Sequence, residues 1–295
     1  MLAIAGSIGE PDIQGLVGRN RTAGELLSVR FQYGAGRAWR HGLASGDADM
    51  ARQAERAVLA GLRSAGPDGR FVSRLPVGVE GVAGPGTQAS AAAFFLSDAC
   101  PAFSVATLSQ ADRDSLSRSL DRMAESADAL MRHDRHAPNR LLIDALAFHA
   151  CGRVLGRADI AGHADPFLGH ALGFLRANGV MEEAGGADTS YQAVSLVAAA
   201  TLLDTGYEGP FRDRLEAFRS DGSRWLAARI RPDGALDSRG NTRSCAGERF
   251  LGRPKDVDLR EVFRALALGE LGGLVERTTV ERYRDWLATR PGPCT

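Results

Sequence analysis

A glycine-closed turn that recurs at multiples of one interval is the feature of this sequence that most restricts its fold. Three helical stretches run into it: Leu62-Arg63-Ser64-Ala65-Gly66-Pro67-Asp68-Gly69, Leu175-Arg176-Ala177-Asn178-Gly179 and Ile230-Arg231-Pro232-Asp233-Gly234. The terminal glycines lie 110 and 55 residues apart, so the first interval is twice the second. Gly after Asp or Asn closes a helix through a left-handed turn. A period near 55 residues suits a helical hairpin with one loop; stacked hairpins bury a continuous core and collect one set of loops on one face. No such turn stands near residue 124, so the repeat is incomplete. Chance in a chain with 35 glycines is the competing explanation.

The rest of the pattern is helical. β-Branched residues are sparse and strict alternation never persists, whereas helical periodicity is strong. It places helices over 22–44, 48–64, 87–100, 109–133, 139–156, 163–177, 189–205, 211–231, 257–273 and 277–289, about five hairpins. Ser109, Asp165-Pro166 and Thr189 mark helix starts. Two loops interrupt the pattern, 66–86, rich in Gly and Pro, and 232–256, strongly polar. The expectation is an all-α fold in one domain over 1–295, with 1–21 and 290–295 peripheral.

Composition narrows the function classes. With 44% hydrophobic and 24% charged residues the chain is not disordered. Its longest apolar run, Ala91 to Leu96, is too short for a membrane span. Net charge is zero and no basic stripe appears, which argues against a nucleic-acid partner. Of 36 basic residues only Lys255 is a lysine, a bias assigned mainly to coding composition. Met1 to Glu10 shows no secretory signal as it stands. Cys100, Cys151, Cys245 and Cys294 form no CxxC pair, so a cysteine zinc site is not expected. Cys100 and Cys151 sit in apolar helical stretches and read as buried free thiols. No metal or other cofactor is implied: His133 and His136 lack a third ligand in register, and His163 with His170 is a weak pair.

The R-P-D-G-type turns, together with the segment from Asn178-Gly179-Val180 through Glu182-Glu183-Ala184-Gly185-Gly186-Ala187-Asp188-Thr189-Ser190-Tyr191-Gln192, resemble α/α-toroid (six-hairpin-like) carbohydrate-active enzymes. The resemblance covers about residues 45–275. It implies an incomplete or short toroid of about five hairpins and a polysaccharide or oligosaccharide substrate. The DxDD motif of cyclase toroids is absent, as are the Cys and His zinc ligands of lanthionine-cyclase toroids.

Three constellations carry candidate chemistry. The first surrounds the start of the 189–205 helix: Glu182, Glu183, Asp188, Tyr191 and Gln192. It reads as a sugar-binding rim, or as a helix cap at Asp188 with solvated glutamates. The second is Pro138-Asn139-Arg140, continuing to Asp144 and His149; Arg140 and Asp144 share a helix face. Asn139 and Arg140 would hold a sugar carboxylate, or simply cap the helix and pair with Asp144. The third is the loop 239–249, with Asn241, Arg243 and Glu248; long loops in compact domains are often functional.

These residues support three readings. A polysaccharide lyase needs carboxylate neutralisation, a base and an acid. Asn139, Arg140 and Arg243 would neutralise, Tyr191 would move the proton, and His149 stands in reserve. The resemblance implies the same residue types, since similar toroid lyases use Asn, His, Tyr and Arg. A glycoside hydrolase needs two flanking carboxyls: Glu183 with Asp188 first, Glu248 or Asp68 otherwise. A non-catalytic scaffold would use Tyr191 and Arg243 to bind glycan or protein. Substrate-contacting roles fall to Arg140, Gln192, Asn241, Glu248 and His149. The lyase leads, with β-elimination beside a uronate as the expected reaction.

Overall fold

The computed structural model describes residues 11–71, 74, 84–250, 253–289, 292 and 294, the side chains of Phe250 and Arg253 excepted. The parts of the 66–86 loop at 72, 73 and 75–83 lie outside the described residues. The fold is all-α: among the described residues the regular structure is helical apart from two two-residue strands, β1 (Arg249–Phe250) and β2 (Arg253–Pro254), which pair antiparallel. No described helix is long and apolar enough to cross a membrane. The chain forms two compact units, one of Leu2–Asp134 with Ile143–Phe167, the other of Arg135–Leu142 with Leu168–Thr295.

The first unit begins with α1 (Gly18–Ala23), a 3-10 turn (Val29–Gln32) and α2 (Ala35–Ser45). One continuous helix was expected over 22–44. The chain breaks it at Gly24 and again at Gly34, both in left-handed conformation, and Ser28 caps the 3-10 turn by accepting from the Arg30 amide. Residues 12–21 are integral rather than peripheral: Leu16 and Val17 are buried and Asn20 is fully so. α3 (Ala48–Arg63), α4 (Pro85–Phe103), α5 (Gln110–Glu125) and α6 (Ala127–Asp134) follow. The expected 109–133 helix is thus two helices that part at Ser126. α4 is buried on nearly every face, as an apolar all-round helix must be. Asp98 in α4 accepts the amides of Gly34 and Gly36 at 2.8 Å each and so holds the start of α2. α7 (Pro138–Leu155) and α8 (Ala158–Gly162) come next, and α9 (Ala164–Leu172) leads into the second unit.

Cys100 and Cys151 are not free thiols. They form a disulfide between α4 and α7. Two apolar helices packed with Cα atoms 5.0 Å apart bring the sulfurs into bonding range, which spacing in sequence could not reveal. A second disulfide joins Cys245 to Cys294.

In the second unit α10 (Thr189–Asp204) packs on α11 (Arg212–Ala227) and on α12 (Leu259–Leu271), which pairs with α13 (Arg277–Ala288). α10 is buried nearly all round, whereas α11 and α13 bury one stripe.

The recurrent turn is real, and among the described residues it occurs four times. Arg176 donates to the Val180 carbonyl at 2.9 Å and Gly179 to the Arg176 carbonyl at 3.0 Å. The pairs Gly66–Arg70 and Gly69–Gly66, and Arg231–Ala235 and Gly234–Arg231, repeat this at 2.9 Å throughout. The fourth copy is Asp12–Leu16, with Asp12 to Leu16 at 3.1 Å and Gly15 to Asp12 at 3.0 Å. Gly15, Gly69, Gly179 and Gly234 all take positive φ. A Cβ on any of them would fall 2.2–2.6 Å from backbone of a later helix, at Arg56, Arg118, Asp221 and Arg282 respectively. Only glycine meets both demands.

A glutamine four residues past the next N-cap belongs to the same motif. After Ser28 comes Gln32; it accepts from Val17 N–H at 3.1 Å and donates to the Gly15 carbonyl at 2.9 Å. After Asp188 comes Gln192; it accepts from Met181 N–H and donates to the Gly179 carbonyl, both at 2.8 Å. After Gly84 comes Gln88, which is exposed. After Asp258 the position is Val262.

Candidate functional site

The residues of the first and third constellations come together in the second unit. The segment after the Gly179 turn folds back at Glu183, where Glu183 and Gly186 exchange backbone hydrogen bonds of 2.8 and 3.2 Å. The two residues between them, Ala184 and Gly185, both have positive φ, as a tight two-residue hairpin requires. An alanine held there costs about 1–2 kcal/mol, so the reversal that aims Glu183 is bought with strain.

Asp188 fixes the next element. One carboxylate oxygen accepts the amides of Ser190 and Tyr191, at 3.0 and 3.3 Å, capping α10. The other accepts the amides of Arg243 and Ser244, at 3.0 and 2.7 Å. The residue is fully buried. Four backbone donors saturate both oxygens, so Asp188 is the joint between the helix start and the 239–249 loop. That geometry is the helix-cap reading of Asp188, extended to a second pair of amides. Neighbouring bonds tighten the same joint. Asn241 accepts the Thr189 amide at 3.1 Å and donates to the Thr189 hydroxyl at 2.9 Å. The Thr242 hydroxyl donates to the Glu183 carbonyl at 2.6 Å. The Cys245–Cys294 disulfide fastens the loop two residues beyond Arg243.

Arg243 is the centre of the charged cluster. Its Nη1 pairs with Glu183. Its Nε and Nη2 form a fork on Glu248 at 2.8 and 2.9 Å, a bidentate arrangement that fixes the guanidinium plane. Lys255 Nζ also reaches Glu248 at 2.8 Å. The Arg243 guanidinium and the Lys255 ammonium each lie 4.8 Å from the centre of the Tyr191 ring, within cation–π range.

The two glutamates are driven in opposite directions. Burial pushes the Glu183 carboxyl up, against the pull of Arg243. It is 2% exposed, and Oε2 has no hydrogen-bond partner. Glu248 is pulled down to about 2, chiefly by hydrogen bonding from Arg243 and then from Lys255. Arg243 is held firmly protonated by Glu248 first and Glu183 next.

Gln192 does not face a ligand. Its amide is fully buried and both ends brace the Gly179 turn, which corrects its expected substrate contact. Asn139 and Arg140 stand in the first turn of α7; Asn139 is buried with Oδ1 lacking a hydrogen-bond partner. His149 lies further along α7, 6% exposed. Asp68 orders its own turn, accepting the Arg70 amide at 3.2 Å. Among the described residues no group of three His, Cys, Asp or Glu side chains is placed to hold a metal ion.

Lys255 was missed from sequence. Its signal was the compositional bias itself: the single lysine in a chain that otherwise uses arginine stands in this cluster.

Comparison with protein-family models, with curated proteins and with solved structures finds no match to this chain.

Proposed function

We propose that this chain is a carbohydrate-active enzyme that cleaves a uronate-containing polysaccharide by β-elimination. The observation that carries the reading is the ring of Tyr191 under two cations, Arg243 and Lys255, the first of which is paired with the buried carboxyl of Glu183. Elimination places negative charge on the sugar carboxylate and its α-carbon, and fixed cations stabilise such charge without reorganising. Glu248 now occupies those cations and is partly exposed. A substrate carboxylate would take its place, exchanging one charge-assisted fork for another. Tyr191 then removes the proton beside the carboxylate and returns one to the leaving glycosidic oxygen. The short α/α toroid of about five hairpins belongs to this proposal, supported by the fourfold recurrence of the turn, two copies of which a glutamine braces.

A second reading has its own support. Glu183 raised and Glu248 lowered are the two environments that separate an acid from a base in a glycoside hydrolase. A panel of uronate-rich and neutral polysaccharides decides between them. Ultraviolet-absorbing unsaturated products support elimination. New reducing ends without absorbance transfer the reaction to Glu183 and Glu248. Binding without either product supports a glycan-binding scaffold.

A further inference from the structure

The first unit holds an open cleft of about 350 Å³ against the Gly69 turn, the start of α4 and the end of α5. Phe71, Met123 and Ala92 supply an apolar floor. Ser119 lines it, 2% exposed, and its hydroxyl has no hydrogen-bond partner. A buried hydroxyl left unpaired costs about 1–3 kcal/mol, which a ligand bonding it would recover. Gln88 lines the same cleft. Gln32 and Gln192, at the same place in their repeats, have their amides engaged by their turns, whereas Gln88 is exposed at the cleft. Arg70 and Arg122 stand at the cleft as well. Their present partners, Asp68 at 3.4 Å and Glu125 at 2.7 Å, are themselves mostly exposed. Such pairs contribute little and exchange readily for a better-placed carboxylate.

We propose that this cleft binds the ring of a carboxylated sugar, with Phe71 and Met123 against the ring, Ser119 and Gln88 on its hydroxyls and Arg70 or Arg122 on its carboxylate. The inference rests on the carbohydrate reading for the identity of the ligand, and its test reads binding rather than turnover.

The full chain is titrated calorimetrically with D-glucuronate, with an oligouronide and with D-glucose. Glucuronate is expected to bind, with glucose weaker by about tenfold, the loss of one charge-assisted contact. Gln88→Ala and Arg122→Ala, both at solvent-accessible positions, are each expected to weaken glucuronate by a similar factor. Binding of the oligouronide alone, lost in Arg122→Ala, also supports the site and assigns it to a polymer residue. Glucose binding as tightly as glucuronate, no binding of either uronate, or binding indifferent to Gln88→Ala and Arg122→Ala would each overturn the proposal. Unsaturated products formed by a chain that fails this test would leave β-elimination standing. Uronate bound at the cleft without any product would leave the cleft standing and remove the lyase.

Discussion

The starts of α4 and α10 follow the same turn and carry a glutamine at the same place, yet they differ in what holds them. α10 begins at Asp188, whose four backbone hydrogen bonds tie it to the 239–249 loop, and Gln192 braces its turn. α4 begins at Gly84, which makes no side-chain cap, and Gln88 is exposed beside a cleft. A repeat supplies a scaffold, and a few residues per copy decide whether a helix start becomes a rigid charged cluster or an open recess.

Each of the two units is reinforced by a disulfide, and breaking these should have the largest effect. The bridges span 51 and 49 residues, so each constrains the unfolded chain by about 4 kcal/mol. They differ in access: Cys100 and Cys151 are fully buried, while Cys294 is exposed. Mild dithiol treatment of the native protein, followed by thiol mapping, should open Cys245–Cys294 first and loosen the Arg243 loop, lowering the proposed lyase activity. Opening of Cys100–Cys151 first would contradict the packing described.

Asp188→Asn comes next. Its amide would turn a donor toward backbone N–H groups, at Ser190 and Tyr191 or at Arg243 and Ser244. A loss of about 2–4 kcal/mol in denaturant unfolding is expected, together with loss of the proposed lyase activity. A stable, active variant would mean that the joint is dispensable.

The glutamines give a direct contrast. Gln192→Ala strips two buried backbone groups of their partner and should cost about 1–3 kcal/mol. Gln88→Ala removes an exposed side chain and should stay within about 0.5 kcal/mol. Equal effects would erase the distinction between the two helix starts.

The smallest effect concerns Glu183. Its carboxyl titrates near 4.5 when unfolded and higher when folded. Between those values the folded chain binds more protons, so stability falls as pH rises through the window and is flat above it. Glu183→Gln, which keeps an acceptor for Arg243, should abolish that fall. Glu248 acts oppositely: its contribution is present above about 4.5 and is lost as pH falls toward about 2. An unchanged pH profile in Glu183→Gln would show that burial does not govern the group.

The sequence made the turns legible because Asp-Gly and Asn-Gly have few other uses after a helix. The Asp12–Leu16 copy escaped because its acidic residue stands first in the turn rather than third, two residues ahead of Gln14-Gly15. The break in 22–44 escaped because apolar spacing continues across Gly24 and Gly34 even though the backbone does not. Tyr191, Glu183, Arg243, Asn241 and Glu248 were legible as two polar segments flanking helix starts, and hydrogen bonding through Asp188 joins those segments. The cap at Asp188 was one of two readings of that residue, but its hold on the 239–249 loop and the bracing by Gln192 were not legible, because a carboxylate or an amide that engages backbone looks the same in sequence as one that faces a ligand. The disulfides depended on helix packing that no spacing encodes.

The most direct test of the account compares Tyr191→Phe with the unchanged chain on whichever uronate polymer yields unsaturated product. The substitution removes one hydroxyl and keeps the ring beneath Arg243 and Lys255. The account expects kcat to fall by about 100-fold or more, the scale of a lost proton-transfer group, with KM and unfolding midpoint little changed. Full activity in Tyr191→Phe would contradict it.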